Sequence, residues 1–232
     1  VPPTTIHLRP TAPLAERALL TGDPGRALAL AQALFHEAPR MFNHSRGLWG
    51  YTGTAIDGEP LTVQSTGIGG PSAAIVLEEL CDLGLRRAVR VGTCTALGDA
   101  ARPGELIAVT EALGADGASR ALGAGGAVAG DAALTTALTA AAGRSARVVS
   151  TDLFYDPRDG RTEEWAAGGA VAADLQTAAV LAVAGARGIP AAAILAVTAG
   201  GDERLDDDAA GDAALRAGRA ALAALRPAPA PR

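Results

Sequence analysis

The chain has 232 residues, 49% of them hydrophobic and 19% charged, with a formal net charge of −5, the proportions of one globular domain long enough to bury a core. Its 20 basic residues are all Arg, and alanine supplies about a quarter of the chain, well above ordinary usage, a bias that a GC-rich genome explains. The acidic balance argues against non-specific nucleic-acid binding, two cysteines are too few for a disulfide scaffold, and no apolar run reaches the roughly 18 to 20 residues that span a bilayer. The first ten residues lack the apolar stretch of a secretory leader, so a cytoplasmic protein with no membrane partner is expected.

Apolar runs of strand type alternate with Ala/Leu-rich windows of helical type, which predicts an α/β domain. A strand at Ala18 to Thr21 leads into a helix over Ala27 to Phe35, and a strand at Leu61 to Gln64 leads into a helix over Ala73 to Leu83. Further strands are expected at Ala88 to Val91 and Leu106 to Val109. Leu113 to Ala133 is dominated by Ala and Gly and reads as a long loop or irregular insert. Thr177 to Arg187 reads as a helix, Ala191 to Val197 as a buried strand, and Asp208 to Leu225 as a helix opened by the acidic run Asp206, Asp207, Asp208. With no internal repeat and no second composition regime, the reading is one domain over residues 1–226 and a disordered tail at 227–232.

Three segments carry candidate chemistry. Gly22-Asp23-Pro24-Gly25-Arg26 stands between a strand and a helix, where backbone N–H groups and a guanidinium can meet an anion; the same residues are also ordinary turn chemistry. Arg90-Val91-Gly92-Thr93-Cys94-Thr95 lies at the carboxyl end of a strand, the usual ligand position in open α/β sheets. Gly67-Ile68-Gly69-Gly70-Pro71-Ser72 could cradle a phosphate or form a tight turn with Ser72 as the helix N-cap. These segments and their surroundings supply Arg26, Arg46 and Arg90 without a Walker lysine or a metal-ligand cluster, so the expected ligand is inorganic phosphate, with no metal and no other cofactor. His7, His36 and His44 are too scattered to suggest a metal site.

These residues, with Thr5-Ile6-His7, Asn43 to Gly53, Gln64 to Ala74 and Ser150 to Tyr155, resemble the nucleoside phosphorylase family of hexameric purine nucleoside phosphorylases and uridine phosphorylases. The resemblance implies a single α/β domain around a mixed, partly closed sheet, assembled as dimers within a hexamer. It implies that Gly22, Arg26, Arg90 and Thr93 hold phosphate, that Arg46 and His7 arrive from the neighbouring subunit, His7 to meet the sugar 5′-hydroxyl, and that Phe154 stacks on sugar or base. Cys94, Thr95, Leu175 and Gln176 complete the nucleoside pocket on that reading. The implied reaction is phosphorolysis of an N-glycosidic bond, giving free base and pentose 1-phosphate.

Three departures fall on the sugar and base side. Where the family often has Glu-Met-Glu, this chain has Asp174-Leu175-Gln176, and Gln176 cannot offer the acceptor-only, charged clamp of a glutamate. Thr95 replaces a strand-exit glycine and should narrow the pocket. Ala199 stands where purine enzymes place an acid, and Asp202 replaces it only if Gly200 and Gly201 fold it back. A phosphorylase with a remodelled pocket, favouring 6-oxopurine nucleosides or uridine over adenosine, is the expectation. The alternatives are a catalytically impaired nucleoside-binding homologue and a nucleosidase that uses water.

Overall fold

A computed structural model describes residues 5–226; the tail expected at 227–232 lies outside them. The first third of the chain builds one wing of a sheet. Strand β1 (Arg17–Thr21) enters helix α1 (Pro24–Leu34), and β2 (Arg40–Asn43), β3 (Gly50–Thr54) and β4 (Pro60–Ser65) follow as an antiparallel meander. β4 returns parallel to β1, with Leu19 opposite Val63. Helix α1 starts where the sequence dictates: the Asp23 carboxylate accepts the Arg26 backbone N–H at 2.6 Å and Pro24 occupies the first turn. Its buried stripe, Ala27, Leu30, Ala31 and Leu34, follows helical spacing.

The remainder runs α2 (Gly70–Asp82), β5 (Arg87–Ala96), β6 (Leu106–Gly114), α3 (Gly117–Ala121), β7 (Ala127–Ala129), α4 (Ala132–Ala142), β8 (Ser145–Ser150), α5 (Arg161–Ala167), β9 (Ala170–Asp174), α6 (Thr177–Arg187), β10 (Ala191–Gly200), β11 (Glu203–Arg204) and α7 (Asp207–Ala224). The sheet is mixed, and β5, β10, β6, β8 and β9 close on themselves through the β9–β5 pairing. This is the mixed, partly closed sheet that the family resemblance implied. β10 shows how both faces are covered: Ala193, Leu195 and Val197 join the core beneath α2 and α6, while Ala192, Ile194 and Ala196 join the core beneath α1 and α7. A strand buried on both faces must read as one apolar run, as this one does.

Strand β5 determines where a ligand can enter. Its first half, Arg87 to Arg90, pairs with β1, and its end, Thr95 and Ala96, pairs with β9, while β10 runs along its other edge. Between Arg90 and Thr95 the β1 side of the strand has no partner among the described residues. The sheet splits there, and the split opens the cleft described below.

Two expectations are corrected. Leu113 to Ala133 is not a long loop: it holds the end of β6, all of α3 and β7, and the start of α4. Aspartates organise it, Asp116 accepting the Ser119 N–H at 2.8 Å and Asp131 the Leu134 N–H at 2.9 Å as N-caps, and β7 pairs with β6 through Glu111 and Ala129. Ser72 is not an N-cap. Pro71 fits the first turn, so α2 begins at Gly70 with Gly69 at the cap position, and the Ser72 hydroxyl donates to the Thr66 carbonyl at 2.6 Å.

Candidate active site

The split in the sheet opens into a cleft of about 830 Å³, a size suited to a small organic ligand. Most of the residues singled out from the sequence line it: Gly22, Arg26, Arg90, Thr93, Cys94, Thr95, Phe154, Leu175, Gln176 and Asp202. His7 and Arg46 do not line it.

At the inner end, Arg90 is 4% exposed and held from three sides. Its Nε donates to Thr177 Oγ1 at 3.1 Å, Nη1 to Gln176 Oε1 at 2.7 Å and Nη2 to Asp174 Oδ2 at 2.8 Å. Asp174 is fixed in turn by the hydroxyls of Ser150 at 2.5 Å and Thr177 at 2.6 Å. A guanidinium has five N–H donors, so one on each terminal nitrogen stays uncommitted among the described residues. Gly92 makes room for this arrangement, since a Cβ there would sit 2.7 Å from Arg90 Nη2.

Arg26 approaches from the N-terminus of α1, with Nη1 3.5 Å from Thr21 Oγ1. Burial lowers the pKa of its guanidinium, Asp23 opposes that shift, and the positive charge of Arg90 adds to it. Two guanidinium groups that repel each other beside a helix N-terminus form a site that an anion relieves. Burial, with Asp174 nearby, raises the Cys94 thiol far above its ordinary value, so it stays protonated and unsuited to nucleophilic work.

Gln176 takes a place that its sequence position did not reveal. It is 2% exposed, and its Nε2 donates to the carbonyls of Gly67 at 2.6 Å and Gly69 at 3.2 Å. Its Oε1 accepts from Arg90 and lies 3.2 Å from the Thr66 hydroxyl. The amide therefore ties the glycine loop to the buried arginine.

The outer end is mixed. Thr95 lies on the cleft side of β5, and Phe154, 57% exposed, meets Tyr155 edge to face at 4.9 Å at the rim. Gly201 adopts φ +55° and reverses β10 into β11, with Ala199 opposite Arg204, which brings Asp202 to the cleft wall. The wall that sequence reasoning missed is formed by Asp156, Arg158, Arg161, Thr162 and Trp165. Arg158 pairs with Asp156 at 2.5 Å, and Arg161 lies over the Trp165 ring at 5.6 Å. The spacing of Arg161 and Trp165, one helical turn apart, was the available signal.

His7 and Arg46 sit elsewhere. His7 Nδ1 is 2.7 Å from Glu79, and the same carboxylate accepts the backbone N–H groups of Ile6, His7 and Leu8. Arg46 is exposed, in a left-handed conformation with φ 60° and ψ 20°, which non-glycine residues seldom adopt. Among the described residues, no group of three or more His, Cys, Asp or Glu side chains could hold a metal ion.

Comparison with known proteins gives this geometry a family. Over 85 residues the chain is 45% identical to the DeoD-type purine nucleoside phosphorylase of Oceanobacillus iheyensis, covering 36% of this chain and 35% of that protein. Over 102 residues it is 39% identical to the uridine phosphorylase of Haemophilus influenzae, covering 44% and 39%. The matched stretches thus span little more than a third of either relative. The fold agrees over a longer range: a crystal structure of uridine phosphorylase from Vibrio fischeri, complexed with 6-hydroxy-1-naphthoic acid, superposes with a TM-score of 0.84 over 91% of both chains at 26% identity. Residues 16–227 match the phosphorylase superfamily, and the chain belongs to that family.

Proposed function

We propose that the protein is a nucleoside phosphorylase, a pentosyltransferase that uses inorganic phosphate to cleave a 6-oxopurine nucleoside or a uridine-like nucleoside to free base and pentose 1-phosphate. The observation that carries this reading is that Arg26, at the N-terminus of α1, and Arg90, with a donor uncommitted on each terminal nitrogen, line one cleft close enough for the charge of Arg90 to add to the lowering of the Arg26 pKa by burial. Phosphate held there by the Gly22 turn, both arginines and the Thr93 hydroxyl is the nucleophile. It attacks C1′ as the bond to the base breaks, and its charge stabilises the oxocarbenium character that develops on the sugar. Holding nucleophile and sugar together replaces a bimolecular encounter with an oriented one.

Asp202 acts as the acid for the leaving base, because the Gly201 reversal sets it in the cleft wall while Ala199 has no proton to give. Thr95 and the Arg161 wall remodel the base pocket. The site is completed in a dimer or hexamer, Arg46 of one copy meeting phosphate and His7 the sugar of its neighbour. Two cysteines held as free thiols suit work in the cytoplasm.

The test is base release from inosine, uridine and adenosine with and without phosphate. Release of hypoxanthine or uracil that requires phosphate is expected. Turnover unaffected by omitting phosphate would favour a nucleosidase, no turnover would favour a binding protein, and adenosine exceeding both others would overturn the assigned preference.

A further inference from the structure

On the phosphorylase reading, the sugar lies between the phosphate and the base, against Leu175 and Gln176. We infer that this edge of the site has no acceptor to spare for a 2′-hydroxyl, so that the protein takes 2′-deoxyribonucleosides at least as readily as ribonucleosides. Gln176 decides this. Both hydrogens of its amide are spent on the Gly67 and Gly69 carbonyls, at 2.6 and 3.2 Å. Its oxygen accepts from the Arg90 guanidinium at 2.7 Å in a buried bond, and the Thr66 hydroxyl divides its one proton between that oxygen at 3.2 Å and the Thr21 carbonyl at 3.1 Å.

The neighbouring residues do not replace it. Asp174 is closed off with no exposed side-chain surface, its oxygens taken by Arg90, Ser150 and Thr177. Leu175 is apolar. Thr93 belongs to the phosphate, and a neutral threonine hydroxyl is a weaker acceptor than a carboxylate.

The chemistry then favours the deoxy sugar. A 2′-oxygen withdraws electrons from C1′ and opposes oxocarbenium formation. Glycosidases offset this with hydrogen bonds to the 2-hydroxyl that strengthen in the transition state. A site without that acceptor leaves the hydroxyl both unpaired and electron-withdrawing, two penalties that 2′-deoxyribose escapes.

The experiment measures kcat/KM at saturating phosphate for inosine against 2′-deoxyinosine and uridine against 2′-deoxyuridine, judged on the pair with the higher turnover. A deoxy-to-ribo ratio of one or more is expected, and a ratio below one overturns the inference while leaving the phosphorylase reading intact. If no nucleoside is turned over, that reading fails separately, and calorimetry with ribose 1-phosphate and 2-deoxyribose 1-phosphate decides. Deoxy binding equal or tighter supports the inference; tighter binding of ribose 1-phosphate, or binding of neither, overturns it. Gln176→Glu supplies the missing acceptor, and in the folded variant it should shift the ratio at least threefold toward the ribonucleoside. A folded variant with an unchanged ratio overturns the role given to Gln176, and if the variant does not fold, the wild-type ratio decides alone.

Discussion

Arg17 and Arg90 are both nearly buried, 3% and 4% exposed, yet they have spent their donors differently. Arg17 is exhausted: it grips Asp57 with both terminal nitrogens at 2.7 and 2.6 Å and gives its other donors to the carbonyls of Pro60, Glu59 and Leu225. Such a group holds the fold and has nothing left for a ligand, whereas Arg90 lines the cleft and keeps one donor uncommitted on each terminal nitrogen among the described residues. Compositional bias explains why both are Arg, and five donors in a planar fork explain why Arg can serve both purposes. Removing one partner of a buried pair strands the other, so Asp57→Ala should cost about 3 to 5 kcal/mol in urea unfolding at neutral pH. The Asp57 carboxyl is held below its ordinary value of 3.8, first by its hydrogen bond from Arg17. A depressed acid contributes stability that is full above the ordinary value and lost as pH falls through the lower, folded one. The stability difference between wild type and Asp57→Asn should therefore be constant from pH 7 to pH 5 and shrink below about pH 4; a difference that grew on acidification would contradict the pairing.

Strand β5 is the element that turns a core into a site, since it pairs with β1, then with neither neighbour on that edge, then with β9. Within the split, the absence of a side chain at position 92 lets the Arg90 guanidinium fold back along its own strand. Gly92→Ala would put a Cβ 2.6 Å from Leu195 Cδ2 and, on the arginine, 2.7 Å from Nη2 and 2.8 Å from Cζ. The arginine must then move, and the variant is expected to raise the phosphate KM about tenfold or more, equivalent to about 1.4 kcal/mol, with a smaller change in nucleoside KM. Steady-state kinetics with each substrate varied in turn would measure the split between the two. The glycine turn was legible in sequence because it stands at the exit of β1 and Arg26 in the first turn of α1, whereas Arg90 to Thr95 is not a strand exit: β5 continues to Ala96, and the ligand position there comes from the split in pairing rather than from the end of the strand. Leu113 to Ala133 misled because alanine carries no hydrophobic period, although its capping aspartates at 116 and 131 were visible. The Arg161 wall carried a local signal in the Arg161/Trp165 spacing, but the partners of Gln176 were not legible: Thr66, Gly67, Gly69 and Arg90 lie 86 to 110 positions away, which no local pattern encodes.

At the scale of the whole molecule, the net charge of −5 describes the surface, while the cleft brings the guanidinium groups of Arg26 and Arg90 together. The same contrast applies to the two residues expected in the site that do not reach it. Arg46 is exposed in a left-handed turn, a conformation that costs about 1 kcal/mol or more and persists only where surrounding structure enforces it. His7 is latched by Glu79, which satisfies three consecutive backbone N–H groups and the ring Nδ1, leaving Nε2 for another partner. Ile6, beside His7, and Trp49, three residues after Arg46, are also exposed, at 71% and 40%. If a second copy covers these residues, each site draws Arg90 from one chain and Arg46 from the other, and complementation will reveal it. Arg90→Ala and Arg46→Ala proteins should each be nearly inactive alone. Unfolded together in equal amounts and refolded, they form mixed dimers in half of all cases, each with one intact site of two, so activity should return to about a quarter of wild type. Were Arg46 to serve the cleft of its own chain, every mixed site would carry one defect and refolding would restore nothing.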